Sequence, residues 1–264
     1  RHGRSRFIKD RIYAITPKGK MDIGLIGEVI RYCKQHSIDW EIKSKTLKIF
    51  RPDLPSPKRD YKLKIELRDY QQEIVDRCIS AGRGTVVLAT AGGKTITMAS
   101  LLEYYYQNAN KFFKGLIIVP DLGLVNQTNE DFNDYETGFS HSIWSGNNEL
   151  NNNTNIVIAN MGILQSEKSD IKWLSDIDIL IVDETHKLRK DNKINKIIKS
   201  IKTTHKFGFT GTLPEEPLDM WNIFGKIGPK LYERKAYELR EDNYVTPAKV
   251  HIFQLNYKAI QSEY

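Results

Sequence analysis

The chain reads Leu88-Ala89-Thr90-Ala91-Gly92-Gly93-Lys94-Thr95 between an apolar run, Thr85–Leu88, and a segment with helical spacing of apolar residues. The run predicts a buried strand, and the segment after it predicts a helix. Backbone amides at a helix start point toward an anion, the helix dipole favours negative charge there, and small residues allow close approach. The stretch therefore predicts a phosphate-binding loop (P-loop), in which Lys94 reaches the β- and γ-phosphates and Thr95 contacts Mg²⁺.

A second motif stands where a later apolar strand ends, because Asp183-Glu184-Thr185-His186 follows the run Ile179–Val182. One carboxylate there can hold the water shell of a metal ion, and its neighbour can polarise the attacking water. Each motif alone is weak: position 88 holds Leu where the full P-loop pattern has Gly, and carboxylates at strand ends often only cap helices. Together, at the carboxyl ends of two buried strands, they predict a nucleotide hydrolase.

Composition restricts the class of protein. The 264 residues are 40% hydrophobic and 28% charged, which predicts one substantial core plus a small module. The sequence has no apolar run of membrane-spanning length and no secretory signal pattern, so we expect a cytoplasmic protein without a membrane partner. Cys33 and Cys78 are interpreted as small core residues in a reducing compartment. Because the chain begins at Arg1 and ends at Tyr264 in mid-pattern, we expect a piece of a longer protein.

The positive charge is concentrated at the N-terminus. Residues 1–62 hold 16 Lys or Arg against 7 Asp or Glu, a net charge of +9, which leaves −2 of the total +7 for residues 63–264. A basic module beside a nearly neutral lobe predicts a polyanion partner, and nucleic acid in particular. A basic surface that only improves solubility is the alternative.

Pattern changes divide the chain into four parts. We expect a small basic α+β domain over residues 1–51, a Pro-rich linker over 52–62, a nucleotide-binding lobe over 63–247 and the start of a connection over 248–264. In the first part the pattern predicts a helix and three strands, at Gly24–His36, Arg11–Ile15, Asp39–Ile42 and Thr46–Phe50.

From Leu67 onward, strand and helix patterns alternate. Helices are predicted at Arg68–Ser80, Lys94–Gln107, Leu122–Phe132, Asn192–Ile201 and Pro217–Phe224. Buried strands are predicted at Gly84–Leu88, Gly115–Val119, Asn155–Ala159, Asp178–Val182 and Lys206–Thr210. This alternation predicts an α/β fold with a mostly parallel sheet and helices on both faces.

In this order, the motifs resemble those of the first motor lobe of superfamily 2 helicases and translocases. The resemblance covers roughly residues 63–247 and implies a RecA-like fold that binds ATP and Mg²⁺. It implies catalytic roles for Lys94, Asp183, Glu184 and His186, with Mg²⁺ held by Thr95 and, partly through water, by Asp183. Together with the adenine-reading motif Arg68-Asp69-Tyr70-Gln71, it implies that ATP is bound by Arg68, Gln71, Ala89, Thr90, Ala91, Gly92, Gly93, Lys94 and Thr95.

Further segments resemble other family motifs. The motif that couples hydrolysis to motion corresponds to Thr210, Gly211 and Thr212, and the segments touching the nucleic-acid backbone correspond to Asn126, Gln127 and Asn160. Two positions depart from the family, because many relatives have Gly in place of Ala91 and Thr is usual in place of Asn160. For Gln71, the alternative to adenine reading is a solvent-exposed side chain.

A narrower resemblance concerns phage UvsW-type helicases. The resemblance rests on four segments: Arg11–Ile15, Gly24–Gly27, Trp40–Ile42 and 224–247. Excision-repair and restriction motors share the last of these. The resemblance implies the N-terminal part of an ATP-dependent DNA helicase that remodels branched DNA or R-loops, which contain RNA–DNA hybrids, in recombination, replication and repair. A second RecA-like lobe with the arginine finger would follow, and the chain alone would be nearly inactive. The alternatives are a duplex translocase of restriction or excision-repair type and a nucleic-acid-binding ATP switch without motor action.

Overall fold

A seven-stranded sheet forms the centre of the structure, a computed structural model that describes residues 14–43, 63–166, 171–188 and 193–246. The strands are β1 Gly84–Leu88, β2 Gly115–Val119, β3 His141–Trp144, β4 Ile156–Asn160, β5 Ile179–Asp183, β6 His205–Thr210 and β7 Lys230–Arg234. They lie in the order β3-β4-β2-β5-β6-β1-β7, and each neighbouring pair is parallel. The predicted α/β fold with a parallel sheet is therefore confirmed.

Helices connect the strands. They are α1 Ile26–Gln35, α2 Asp69–Ala81, α3 Lys94–Gln107, α4 Leu122–Asp134, α5 Met161–Gln165, α6 Ile171–Leu174, α7 Lys193–Ser200, α8 Pro217–Lys226 and α9 Ala236–Glu241. Two short 3₁₀ turns span Ile23–Leu25 and Thr185–Lys187. The end of α2 is set by Gly82, whose φ of 72° only glycine adopts without strain and whose N–H donates to the Cys78 carbonyl at 2.9 Å. This turn delivers the chain directly into β1.

Both faces of the sheet are buried, as unbroken apolar strands require. Successive side chains of a strand point to opposite faces, so Ile117 and Val119 of β2 enter one core and Leu116 and Ile118 enter the other. Helices α2, α3 and α4 cover the first face, and α5 to α8 cover the second. The five predicted strands and the five predicted helices of the lobe are all present. Each observed end lies no more than two residues from the predicted one.

The sheet edges were not predicted. The edge strands β3, His-Ser-Ile-Trp, and β7, Lys-Leu-Tyr-Glu-Arg, are only partly buried and carry polar side chains. An apolar-run criterion finds strands covered on both faces and therefore misses these two. Short helices α5, α6 and α9 were missed for a related reason, since four to six residues give too little periodicity.

The N-terminal segment agrees only in part with its prediction. The helix expected at Gly24–His36 is present as a 3₁₀ turn and α1, but residues 39–42 do not form the predicted strand. Residues 11–13 and 46–50 of the other two predicted strands lie outside the described residues, as do 52–62 and 248–264. The four-part division of the chain stays a prediction.

The segment around Gly24 packs tightly on the lobe. A Cβ at Gly24 would lie 1.9 Å from the Phe224 carbonyl oxygen, near the C-terminal end of α8. Close approach of two backbones therefore requires glycine here. Leu25 and Ile26, directly after it, are buried.

The two cysteines differ in burial. Cys78 is completely buried in the core, and burial raises the pKa of its thiol. Cys33 is only half-buried on α1, so its predicted core position is wrong for the described part of the chain. Within that part, no helix is long and apolar enough to cross a bilayer.

Candidate active site

The two deciding motifs meet at one edge of the sheet. The P-loop follows β1 and begins α3, while Asp183 ends β5 and Thr210 ends β6. Strands β5, β6 and β1 are adjacent, with Asp183 paired in register with Phe209, and Val87 with Thr210. The P-loop, the acidic box and the Thr-Gly-Thr motif therefore converge at the carboxyl ends of three neighbouring strands, as the sequence predicts.

The P-loop uses two left-handed residues. Gly93 has φ of 79°, and Ala91 has φ of 65°. This conformation costs an L-residue about 1–2 kcal/mol, so Ala91 is strained. A Cβ at Gly93 would lie 2.3 Å from the Gln71 Nε2 atom, so this position also has no room for a larger side chain.

Lys94 is held by the acidic box. Its Nζ lies 3.2 Å from Glu184 Oε1, and both side chains are largely buried. Glu184 itself is left-handed, with φ of 50° and ψ of 52°, a strain that non-glycine residues carry mostly at functional sites. The strained turn directs the Glu184 carboxylate toward the P-loop.

A polar chain continues from Glu184 to the Thr-Gly-Thr motif. His186 Nδ1 lies 3.1 Å from Glu184 Oε2 and 2.9 Å from Thr210 Oγ1. The Thr210 hydroxyl donates to the Thr212 carbonyl at 2.7 Å, so its oxygen accepts from His186. The geometry therefore places a proton on Nδ1.

Asp183 has the most perturbed carboxyl group of the site. Burial raises its pKa from an ordinary 3.8 to about 6, with a further increase from the neighbouring Glu184 charge. Lys94 and the Glu184 backbone N–H, which donates to Asp183 Oδ1 at 2.9 Å, act in the opposite direction. The carboxylate is thus short of positive charge.

Thr95 contacts a carboxylate that the sequence did not indicate. Its hydroxyl donates to Asp131 on α4, and this contact lowers the Asp131 pKa by less than burial raises it. Because the hydroxyl proton is directed at Asp131, the oxygen lone pairs of Thr95 stay available to a cation.

Gln71 is buried, so the solvent-exposed alternative is wrong. Its Oε1 accepts from the Arg68 backbone N–H at 2.9 Å, and its Nε2 donates to the Gly92 carbonyl at 3.0 Å. The Tyr70 hydroxyl donates to the same carbonyl at 2.8 Å. The start of α2 therefore supports the P-loop, and the amide of Gln71 keeps one N–H and one lone pair for another partner.

Residues 64–215 match the protein family described as type III restriction enzyme, res subunit, over more than half of the chain. The chain belongs to this family. The matched segment contains the P-loop, the acidic box and the Thr-Gly-Thr motif, and it ends before β7.

Relatives of this chain carry helicase and translocase names. It is 26% identical over 264 residues to "ATP-dependent DNA helicase uvsW" of enterobacteria phage T4, covering 94% of this chain and 51% of that protein. It is 27% identical over 188 residues to "DNA 3'-5' translocase XPB2" of Sulfurisphaera tokodaii, covering 71% and 40%. The chain thus spans about half the length of the curated relatives it matches.

Solved structures share the fold of this chain. The UvsW helicase of bacteriophage T4 aligns with a TM-score of 0.69 at 22% identity, over 84% of this chain and 82% of that one. The Hef helicase domain of Pyrococcus furiosus aligns with a TM-score of 0.56 at 19% identity, over 69% and 41%. The predicted RecA-like fold and the resemblance to the first lobe of superfamily 2 helicases, close to the UvsW type, are confirmed.

An aromatic cluster joins the start of the family-matched segment to residues that lie beyond its end. The Arg68 guanidinium lies 5.0 Å from the ring centre of Tyr244, and Arg234 lies 4.6 Å from that of Tyr70. The two tyrosine rings meet edge to face at 5.1 Å. Sequence reasoning missed Tyr244 and Arg234, because nothing near them in the chain indicates contact with α2.

The three residues of the predicted nucleic-acid track share the carboxyl edge with the P-loop but lie on the other half of the sheet. Asn126 and Gln127 are exposed on α4. Asn160 ends β4 opposite Val119 of β2, accepts from the Gly162 N–H at 2.7 Å and donates to the Pro120 carbonyl at 3.3 Å. Asn160 is thus the N-cap of α5, and its contact with nucleic acid stays a prediction.

Proposed function

We propose that this chain is the N-terminal part of an ATP-dependent DNA helicase, in which residues 63–247 bind Mg·ATP and couple its hydrolysis to movement on DNA. The observation that supports this most is the continuous contact from Lys94 through Glu184 and His186 to Thr210. This contact joins the P-loop, which follows β1, to the Thr-Gly-Thr motif at the end of the adjacent strand β6. The proposed helicase or translocase activity is inferred from the names of the uvsW and XPB2 relatives.

The P-loop and the residues in contact with it have separate chemical tasks in this proposal. The backbone of residues 89–95 and the Lys94 ammonium bind the β- and γ-phosphates. Lys94 is paired with Glu184, and a bound γ-phosphate would compete for the ammonium and free the carboxylate. Glu184 then orients and deprotonates the attacking water. When Glu184 exchanges Lys94 for this water, its hydrogen bond to His186 changes, and His186 transmits the change to Thr210.

The donor set fits a magnesium ion. Mg²⁺ is usually bound by one or two carboxylates together with substrate phosphates, not by a cage of protein ligands. In keeping with this, the described residues contain no group of three or more His, Cys, Asp or Glu that could hold a metal. The buried Asp183 carboxylate and the Thr95 oxygen are the groups that would hold the ion. When bound, the ion would neutralise charge on the phosphates.

DNA is the proposed track, and branched DNA or R-loops are the proposed substrates. Exposed Lys18 and Lys20, together with the net +9 of residues 1–62, support binding to a polyanion. The arginine finger is proposed to come from a second lobe in the remainder of the protein. Because such a finger is worth ~10³–10⁵ in rate, this chain alone should hydrolyse ATP very slowly.

The test is ATP hydrolysis with and without DNA, measured in a protein that contains both lobes. Lys94→Ala should lower turnover at least ~100-fold, because it removes a cation that faces developing charge. Lys196→Ala, on the exposed surface of α7, is the control and should change little. Turnover of Lys94→Ala within a few-fold of the parent would contradict the proposal.

A duplex translocase is the second candidate, and the name of the XPB2 relative favours it. A strand-displacement assay separates the candidates, because a translocase moves on duplex without releasing a strand. ATP-dependent DNA binding with neither displacement nor translocation would instead indicate a non-motor switch.

A further inference from the structure

A basic cavity lies at the amino ends of β1 and β6, on the opposite edge of the sheet from the P-loop. Its volume is about 280 Å³. Five of its lining side chains are cationic and one is acidic: Arg83, Lys199, Lys202, Lys206, Lys226 and, as the acid, Asp22. Such an excess of one sign in a small, partly enclosed space attracts a counter-ion.

Two of the cations are buried and bind helix ends. Lys206 Nζ donates to the carbonyls of Ile198 and Ile201 at 2.7 Å each, at the end of α7. Arg83 donates to two carbonyls at the end of α8, at 2.7 and 2.8 Å. These carbonyls offset part of the positive charge. Even so, burial lowers the pKa of Lys206 to about 8 and that of Arg83 to about 10, so both charges remain undercompensated.

Asp22 demonstrates that the cavity accepts an oxyanion. Its Oδ1 lies 3.1 Å from Lys199 Nζ, and its Oδ2 lies 3.7 Å from Lys226 Nζ. Among the described lining residues, one carboxylate therefore stands against five cations. Lys202 has no ion pair within the described parts of the chain, and its exposed side chain borders the cavity.

We propose that the basic cavity binds a phosphate group beside Asp22, held by Lys199, Lys202 and the charge of the buried Lys206. A volume of about 280 Å³ leaves room for it, since a water molecule occupies about 30 Å³ of liquid. Free phosphate and a nucleic-acid backbone phosphate present the same chemistry. The position at the amino ends of the strands makes this site separate from the P-loop.

The experiment measures phosphate affinity by isothermal titration calorimetry in a Lys94→Ala background, so that the P-loop contributes less binding. Lys202→Ala should weaken inorganic phosphate binding about tenfold, as expected for loss of a charge-assisted hydrogen bond. Asp22→Asn should tighten it, because a competing carboxylate is removed. Lys196→Ala, which removes an exposed lysine outside the cavity, should leave it unchanged.

A single-stranded oligonucleotide then identifies the source of the phosphate. A loss of affinity for both inorganic phosphate and the oligonucleotide in Lys202→Ala, but not in Lys196→Ala, supports the site and assigns it to a nucleic-acid backbone. A loss for inorganic phosphate alone supports the site and assigns it to a free anion. Equal phosphate affinity in Lys202→Ala and the parent overturns the proposal. Weaker phosphate binding by Asp22→Asn also overturns it, provided that this variant has the same melting temperature as the parent.

Discussion

Asp183→Asn should stabilise the nucleotide-free protein, and the gain should grow with pH. The carboxyl ionises at about 6 in the folded state against 3.8 ordinarily, because burial disfavours the charge. Below pH 3.8 both states are protonated and the folded state loses nothing. Between pH 3.8 and 6 the unfolded state releases its proton while the folded state keeps it, so the free energy of unfolding falls across this window. Above pH 6 both states are ionised, and the loss stays constant. Asn cannot ionise and escapes this loss.

The size follows from the same two values. Each pKa unit is worth about 1.4 kcal/mol, so the full penalty is about 3 kcal/mol. At pH 5 the parent has lost about 1.5 kcal/mol, and at pH 8 about 3 kcal/mol. The Asn side chain keeps an oxygen for the Glu184 N–H, so that hydrogen bond is retained. The variant should therefore gain about 1.5 kcal/mol over the parent between pH 5 and pH 8.

Urea denaturation followed by tryptophan fluorescence, at pH 5, 6, 7 and 8, gives the free energies of unfolding, and the chain has four tryptophans. Asp134→Asn, on the exposed surface of α4, controls for the general effect of removing one negative charge. A gain that is absent, or equal at pH 5 and pH 8, would refute the account of Asp183 as a carboxylate short of positive charge.

Three further changes test the site. Glu184→Gln should keep nucleotide binding, measured with a fluorescent ATP analogue, while phosphate release falls at least ~100-fold; normal release would exclude Glu184 as the group that activates water. Gly93→Ala should cost about 1 kcal/mol or more, because its φ is 79° and the new Cβ meets Gln71 at 2.3 Å. In urea denaturation it should destabilise more than Gly19→Ala, which has a similar φ of 70° in open space; equal losses would point to backbone strain alone. Tyr244→Ala should raise the KM for ATP a few-fold with kcat little changed and Tyr244→Phe should restore it, whereas no rescue would argue against a role for the ring.

The sequence was sufficient for the central strands because each is covered on both faces. An unbroken apolar run such as Leu116–Val119 leaves little choice of structure, and its alternating residues fill two cores. The edge strands β3 and β7 have one exposed side, so their composition resembles that of a loop. Their positions follow from pairing with β4 and β1, which a local pattern does not contain.

The same distinction holds for the site. Lys94 and Glu184 belong to short motifs of adjacent residues that follow buried strands, so their spacing is readable along the chain. Tyr70 and Asp131 contact the P-loop region through side chains from other helices, and their roles depend on how those helices pack. The strain at Glu184, with φ of 50°, was likewise unreadable, because no nearby residue requires it.

The packing of Gly24 against Phe224 affects where the protein can be divided. A fragment that begins at residue 63 follows the boundary drawn from composition, yet it removes the backbone cover at the end of α8. It also removes Asp22, the carboxylate that lies among Arg83, Lys199 and Lys226. A minimal lobe for expression should therefore retain residues 22–26. The cut suggested by the proline-rich stretch separates segments that fold against each other.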